Sequence, residues 1–280
     1  MVARLKFNVR SALAALLLYP MAVDAAPVAR AGVNSQAQAQ AWRAIAVLPD
    51  WSGVWLPDIG DQTRQEKGNL APWTPAAQVQ IDKMWKDTYA GEPPLVLYGC
   101  FPHGMPTWMM INHNAMEILF TPGRVTMLGE VDGNRMRRIY TDGRPHPEDP
   151  DPTFHGHSIG RWEGDTLVVD TVGIAPQASI GISESVGLPN NGDIHVVERI
   201  RLRGGDVLED AMTITAPKVF TKPWQTTRLF RRVPSNPQND IVEGQCISGD
   251  YEPAKDANGN DIFRPAATQR VLGGVVPLKQ

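Results

Sequence analysis

The sequence predicts a mainly β protein, either an antiparallel up-and-down barrel or a strongly curved sheet with one or two flanking helices. Apolar and polar residues alternate with a period of two through much of the chain after residue 115, which is typical of strands with one buried face. Turn dipeptides such as Pro122-Gly123 and Asp142-Gly143 separate these segments. The 280 residues include 25 glycines and 24 prolines, a content that favours short strands over long helices.

The first 25 residues predict a cleaved signal peptide. Arg4, Lys6 and Arg10 precede a short apolar run, and residues 23–25 match the small-residue pattern of a cleavage site. The run is too short to span a bilayer comfortably. We therefore expect a periplasmic or secreted protein with no membrane span after cleavage. Residues 26–48 are expected to form a weakly helical N-terminal segment, and residues 49–280 a single domain.

One clear helix is predicted between residues 74 and 91, after a first strand within residues 48–58. Thr74 is a suitable N-cap, Pro75 suits the first helical turn, and Gly91 suits the end of the helix. The predicted apolar face of this helix consists of Val79, Ile81, Met84, Trp85 and Tyr89.

The barrel strands are predicted from residue 115 onward. Residues 115–144 give three strands, and the proline-rich loop 144–152 then excludes regular structure, because proline lacks a backbone donor. Two hairpins follow, with turns at 163–165 and 204–205, and residues 224–233 and 241–246 supply closing strands. A total of eight to ten antiparallel strands is typical of a barrel.

Two stretches resemble known families. Gly53-Val54-Trp55 resembles the G-x-W signature of lipocalin-like (calycin) barrels. That resemblance implies that Trp55 closes one end of the barrel and packs under an arginine of a late strand, with Arg228, Arg231 or Arg232 as the candidates. The longer block from Gly156 to Gly173 resembles a family of uncharacterised secreted bacterial proteins, which implies no particular activity.

The composition argues against nucleic acid as a partner. The formal net charge is −3, and removal of the signal peptide takes away three basic residues and one acid. The mature protein is therefore more acidic than the full chain. It also carries no run of basic residues that would attract a phosphate backbone.

The two cysteines, Cys100 and Cys246, both belong to the mature chain. In an oxidising compartment we expect them to form a disulfide, which in the chain-entropy model would stabilise the fold by roughly 4–5 kcal/mol. The alternative is two buried thiols. Neither cysteine is part of a C-x-x-C unit or of a zinc-ligand set.

The hairpin 154–174 concentrates the ionisable residues. A two-residue turn at Gly164 and Asp165 places His157, Arg161 and Asp170 on one face of the hairpin. A three-residue turn would move Asp170 to the other face. We expect the two-residue turn, because it separates the charged face from an apolar face formed by Trp162, Leu167 and Val169.

This charged face is a candidate acid–base centre. His157 would act as acid or base, Asp170 would orient it, and Arg161 would stabilise negative charge on the reacting molecule. Tyr140 and His103 are candidate auxiliary donors. The alternative is structural: Arg161 and Asp170 form an exposed cross-strand ion pair.

A soft apolar surface is predicted around residues 103–110, where Met105, Trp108 and Met109 would line a pocket for a hydrophobic or aromatic molecule. Ordinary core packing is the alternative. Glu198 lies on the apolar face of its strand, opposite His195, so we expect it to pair with an arginine of a neighbouring strand or to act in the site.

Three functions are compatible with these residues. The first is a cofactor-independent enzyme of the lyase, isomerase or cyclase type that acts on a hydrophobic or aromatic small molecule inside the barrel. The second is a periplasmic carrier of such a ligand that does not convert it. The third is a metal-dependent hydrolase using His155 and His157, for which no regularly spaced third ligand is found. Motifs for nucleotides and haem are absent from the sequence, so no cofactor is expected.

Overall fold

A computed structural model describes the chain at residues 35–91, 102–111, 114–130, 134–234, 239–243, 251–255, 261–265, 268–271 and 274–277. The predicted signal peptide, Cys100 and Cys246 lie outside these residues. The described part begins with helix α1 (Ser35–Ile45) and strand β1 (Gly53–Pro57), followed by helices α2 (Ile59–Gly68), α3 (Pro75–Tyr89) and α4 (Thr107–Met110).

The other strands follow in chain order, and most of them contain the period-two pattern that predicts them. They are β2 (Met116–Thr121), β3 (Arg124–Gly129), β4 (Met136–Tyr140), β5 (His157–Glu163), β6 (Thr166–Val172), β7 (Ser179–Ser183), β8 (Val186–Pro189), β9 (His195–Arg203), β10 (Val207–Thr215), β11 (Trp224–Arg232), β12 (Tyr251–Lys255), β13 (Asp261–Pro265), β14 (Thr268–Val271) and β15 (Gly274–Pro277).

Nine strands close into a barrel, which confirms the predicted fold class. Their order is β1-β11-β10-β9-β6-β5-β4-β3-β2, and β1 closes the ring by pairing with both β11 and β2. The strand predicted at 241–246 is not formed over 241–243, and the rest of that segment lies outside the described residues. Strands β12 to β15 form two separate hairpins.

One neighbouring pair in the barrel is parallel. Strand β4 meets β5 only at Ile139 opposite Ser158 and Tyr140 opposite Ile159. The cause is the connection 141–156, which contains the proline-rich loop. It returns the chain to the end of the barrel where β4 began, so that β5 runs in the same direction. Because so few residues pair, the wall between the first half of β4 and the start of β5 is not closed by hydrogen bonds.

The small sheet of β7 and β8, together with helix α4, closes one end of the barrel. Strands β7 and β8 form their own small sheet, and α3 packs on β8 while α4 packs on β7. The hydroxyl of Thr107 in α4 donates to the carbonyl of Ser179 and accepts from the amide of Gly181. The side chain of Trp108 lies against the inward-facing Gly129 of β3, so α4 fills barrel space.

Helix α3 begins as predicted, but its buried face is narrower than the predicted apolar face. The Thr74 hydroxyl accepts from the amide of Ala77 at 3.3 Å. Ala77 and Ile81 are buried. Val79 is 69% exposed and Tyr89 82% exposed, so both were wrongly assigned to the apolar face. At 100° per residue, Val79 points about 200° away from Ala77.

The G-x-W strand has the arrangement that its resemblance implies. Trp55 is buried, and the guanidinium of Arg232 lies 4.5 Å from the centre of its ring. Arg232 also donates to the backbone carbonyls of Ser52 and Asp50. The other two candidates serve elsewhere, as Arg231 pairs with Asp58 on the surface and Arg228 lies inside the barrel.

No helix in the described part of the chain is both long enough and apolar enough to cross a membrane.

Candidate functional site

The hairpin of β5 and β6 has the two-residue turn that separates its two faces. Glu163 pairs with Thr166, so Ile159 lies opposite Asp170. The inner face carries the apolar residues Trp162, Leu167 and Val169. His157, Arg161 and Asp170 share the other face, which is directed away from the barrel interior. The predicted centre therefore lies on the outside of the barrel.

Another histidine, His146, connects His157 to Asp170. His146, from the proline-rich loop, places its Nδ1 2.8 Å from Nδ1 of His157 and its Nε2 3.1 Å from Oδ1 of Asp170. The same carboxylate oxygen lies 2.9 Å from Nε2 of His195. Asp170 therefore orients His157 through His146 and not by direct contact.

The hydrogen-bond pattern fixes one proton of this cluster. Because the Asp170 carboxylate can only accept, Nε2 of His146 carries a proton. One proton lies between the two Nδ1 atoms, so one of these histidines donates and the other accepts. Burial, followed by the charges of His146 and Arg144, lowers the pKa of His157 and favours its neutral form.

The other residues predicted for the acid–base centre do not all join this cluster. The Tyr140 ring stacks on His157 at 5.3 Å and is covered by Arg144. Arg161 pairs at 2.8 Å with Glu163, so it lies in an exposed ion pair and not beside Asp170. His103 lies near the buried ring of His155, whose pKa it helps to lower, and does not join the outer cluster.

A groove of about 540 Å³ opens where β4 and β5 lack hydrogen bonds. Its volume lies within the range of small-molecule sites. Among the described residues, the lining combines apolar and aromatic side chains with two arginines and two histidines, and none of these residues is acidic. The lining residues are Pro102, Asn134, Arg135, Met136, Arg138, Tyr140, Thr153, Phe154, His155, Gly156, His157 and Ser158.

His155 forms one wall of this groove. Its ring meets Trp108 edge to face at 5.3 Å, and neither buried ring nitrogen has a hydrogen-bond partner among the described residues. Burial, followed by the charges of Arg137 and Arg135, lowers its pKa to about 3, so the ring is neutral at pH 7. Within the described ranges no three His, Cys, Asp or Glu residues are arranged to hold a metal ion.

Behind the groove wall lies a buried ion pair. Glu198 faces inward and accepts two hydrogen bonds from Arg137, one of them at 2.8 Å. The Arg137 guanidinium also donates to Thr171 at 3.1 Å and to Ser158 at 3.3 Å. Both charged side chains are at most 1% exposed. Glu198 is thus paired with an arginine, but not with one of a neighbouring strand as expected, because β6 and β5 separate β9 from β4.

A second acid lies beside this pair. Asp210 is fully buried, and burial together with the charge of Glu198 raises its pKa well above the ordinary value. Because two neighbouring carboxylates repel each other at low dielectric, Asp210 holds its proton beside the Arg137–Glu198 pair.

Replacement of Asp210 by asparagine should stabilise the protein increasingly as the pH rises above 4. The native state keeps a proton on Asp210 that the unfolded chain loses near its ordinary pKa of 3.8. Wild-type stability therefore falls as the pH rises toward the raised pKa, and asparagine removes this dependence. Thermal unfolding at pH 3.5, 6 and 8 measures the difference, with exposed Asp149→Asn as the control. A stability gain that did not grow with pH would contradict the assignment.

The apolar surface predicted around residues 103–110 is part of the protein core. Met105, Trp108 and Met109 are fully buried, so they fill the barrel where the sequence suggested that they line a pocket. The cavity that reaches Arg228 at this end holds only about 70 Å³, well below the volume of a typical ligand site. The outer groove, at about 540 Å³, is large enough for a ligand, as are two further cavities of about 360 and 370 Å³.

Comparison with known proteins gives only weak similarities. No protein-family model and no curated protein sequence matches the chain. A solved structure of the REP1-NXSQ fatty acid transporter is 11% identical, with a TM-score of 0.29, and the match covers 66% of this chain and 97% of that chain. A mutant of the fluorescent protein UnaG is 12% identical, with a TM-score of 0.31 and the same coverage. These values are too low to transfer a ligand to this chain.

Proposed function

We propose that the protein binds a small hydrophobic or aromatic molecule in the groove between β4 and β5, and does not convert it. The observation that carries this proposal is the groove itself, at about 540 Å³. Its apolar lining, from Pro102, Met136 and Phe154, offers the contact area that drives such binding. A periplasmic or secreted location, expected from the N-terminus, suits a carrier.

The position of the ionisable cluster supports binding over catalysis. An enzyme working inside the barrel would need His157 and Asp170 to converge on a cavity there. Both side chains lie outside, where Asp170 is 36% exposed, and the barrel interior is filled by core residues. Water at an exposed carboxylate weakens the electrostatic effects on which acid–base catalysis depends.

The groove can be tested with N-phenyl-1-naphthylamine, a neutral aromatic molecule whose fluorescence rises in apolar surroundings. Met136→Ala should weaken its binding about tenfold, which corresponds to roughly 1.4 kcal/mol of lost apolar contact. Leu119→Ala is a matched control, because Leu119 and Met136 are 40% and 42% exposed and Leu119 is not in the groove. Equal affinities of the two variants would refute binding in the groove.

A second candidate, an acid–base enzyme, is favoured by one observation. His157 lines the groove, and Asp170 holds it through His146. Molecules captured from periplasmic extract and analysed by mass spectrometry distinguish the two functions. Recovery of the same unchanged molecule from wild type and His157→Gln supports binding. A product formed by wild type and absent from His157→Gln would establish the enzyme instead.

A further inference from the structure

We infer that the ligand of the β4–β5 groove is an organic anion, with its carboxylate or sulfonate held by Arg135 and Arg138 and its apolar body lying against Met136 and Phe154. This inference rests on the proposed function and specifies the class of ligand. The charge of the groove, its unsatisfied donors and its apolar lining each support it.

The first argument is charge. The described lining residues of the groove include two arginines and no acidic side chain. In the part of the chain that the structure describes, neither Arg135 nor Arg138 forms an ion pair. Elsewhere on the barrel, arginines do have carboxylate partners, as Arg161 has Glu163 at 2.8 Å and Arg231 has Asp58 at 2.8 Å. Positive charge without a counterion in a concave site attracts anions.

The second argument is unsatisfied hydrogen bonding. Nε of Arg135 is buried and has no acceptor among the described residues. The buried ring of His155, on the same groove, also lacks partners there, and as a neutral imidazole it offers one N–H. Buried donors without acceptors are costly. An anion supplies several acceptor oxygens, whereas a hydrocarbon would leave these donors unpaired.

The third argument is that the lining has an apolar part and a charged part side by side. Met136 and Arg138 point the same way from β4, because they are two residues apart on one strand. Phe154 and His155 occupy the facing segment. An apolar surface therefore lies directly beside the charged one, as an amphipathic molecule with one acidic group requires.

The test compares two dyes that differ only in the charged group. 8-Anilinonaphthalene-1-sulfonate is N-phenyl-1-naphthylamine with a sulfonate added. Wild type should bind the sulfonate at least tenfold more tightly than the neutral dye. Arg138→Met, which keeps an apolar stem and removes the charge, should weaken sulfonate binding about tenfold and leave the neutral dye unchanged. Arg135→Met should have the same selective effect.

Arg161→Met is the matched control, since it removes one exposed positive charge away from the groove. An equal loss of sulfonate binding in this control would show general charge attraction and overturn the inference. Equal wild-type affinity for the two dyes would also overturn it. The proposed function fails separately, when neither dye responds to Met136→Ala.

Discussion

The Arg137→Met variant should lose about 3–5 kcal/mol of unfolding free energy at pH 7, because removal of one partner leaves a buried charge without compensation. Arg137 and Glu198 are both almost completely buried. Without the guanidinium, two neighbouring carboxyls, Glu198 and Asp210, remain inside the barrel. The loss should shrink as the pH falls, because protonation of a buried carboxyl removes its uncompensated charge.

Urea unfolding monitored by tryptophan fluorescence measures this effect. Arg138→Met is the control, because it is the same substitution one residue further along β4 on an exposed side chain, and it should change stability by no more than about 0.5 kcal/mol. Adding Glu198→Gln to Arg137→Met should recover much of the loss, since it removes the uncompensated charge. Equal effects of Arg137→Met and Arg138→Met would contradict the buried ion pair.

Trp108→Ala should cost about 3–5 kcal/mol, the usual result of removing a large buried aromatic side chain. The Trp108 ring fills the space above Gly129, where an added Cβ would lie 2.8 Å from Cζ2. Gly129→Ala alone should therefore destabilise by roughly 1–3 kcal/mol through overpacking. In the Trp108→Ala background the same glycine change should cost much less, because the clashing ring is gone.

Gly68→Ala serves as the control for this pair, since an added Cβ at Gly68 meets nothing within 4 Å. It should leave stability unchanged or slightly raised. Additive effects of Trp108→Ala and Gly129→Ala in a double-mutant cycle would show that α4 does not pack into the barrel as described.

The fold could be predicted because its signals are local. Period-two alternation locates the strands, and the preference for separate charged and apolar faces correctly predicted the turn at Gly164 and Asp165. The same reasoning placed Glu198 among apolar residues and favoured an arginine partner over a role in the site. Sequence does not identify that arginine as Arg137, because the partner lies 61 residues away and depends on which strands become neighbours.

The site could be predicted only in part. His157, Asp170 and Tyr140 come together, but His146, which connects the first two, belongs to a loop without periodicity. The groove was also missed, since it results from the parallel pairing of β4 with β5, which no alternation pattern indicates. Met105 and Trp108 were ambiguous for another reason: a pocket lining and a core use the same side chains.

Closure of the barrel by β1 has a consequence for the synthesis of the protein. Trp55 pairs with Arg232, so the first strand of the barrel must wait for almost the whole domain to leave the ribosome. Until then β1 exposes an unpaired backbone edge, the feature through which nascent chains associate with one another. Contacts so distant in sequence also slow folding.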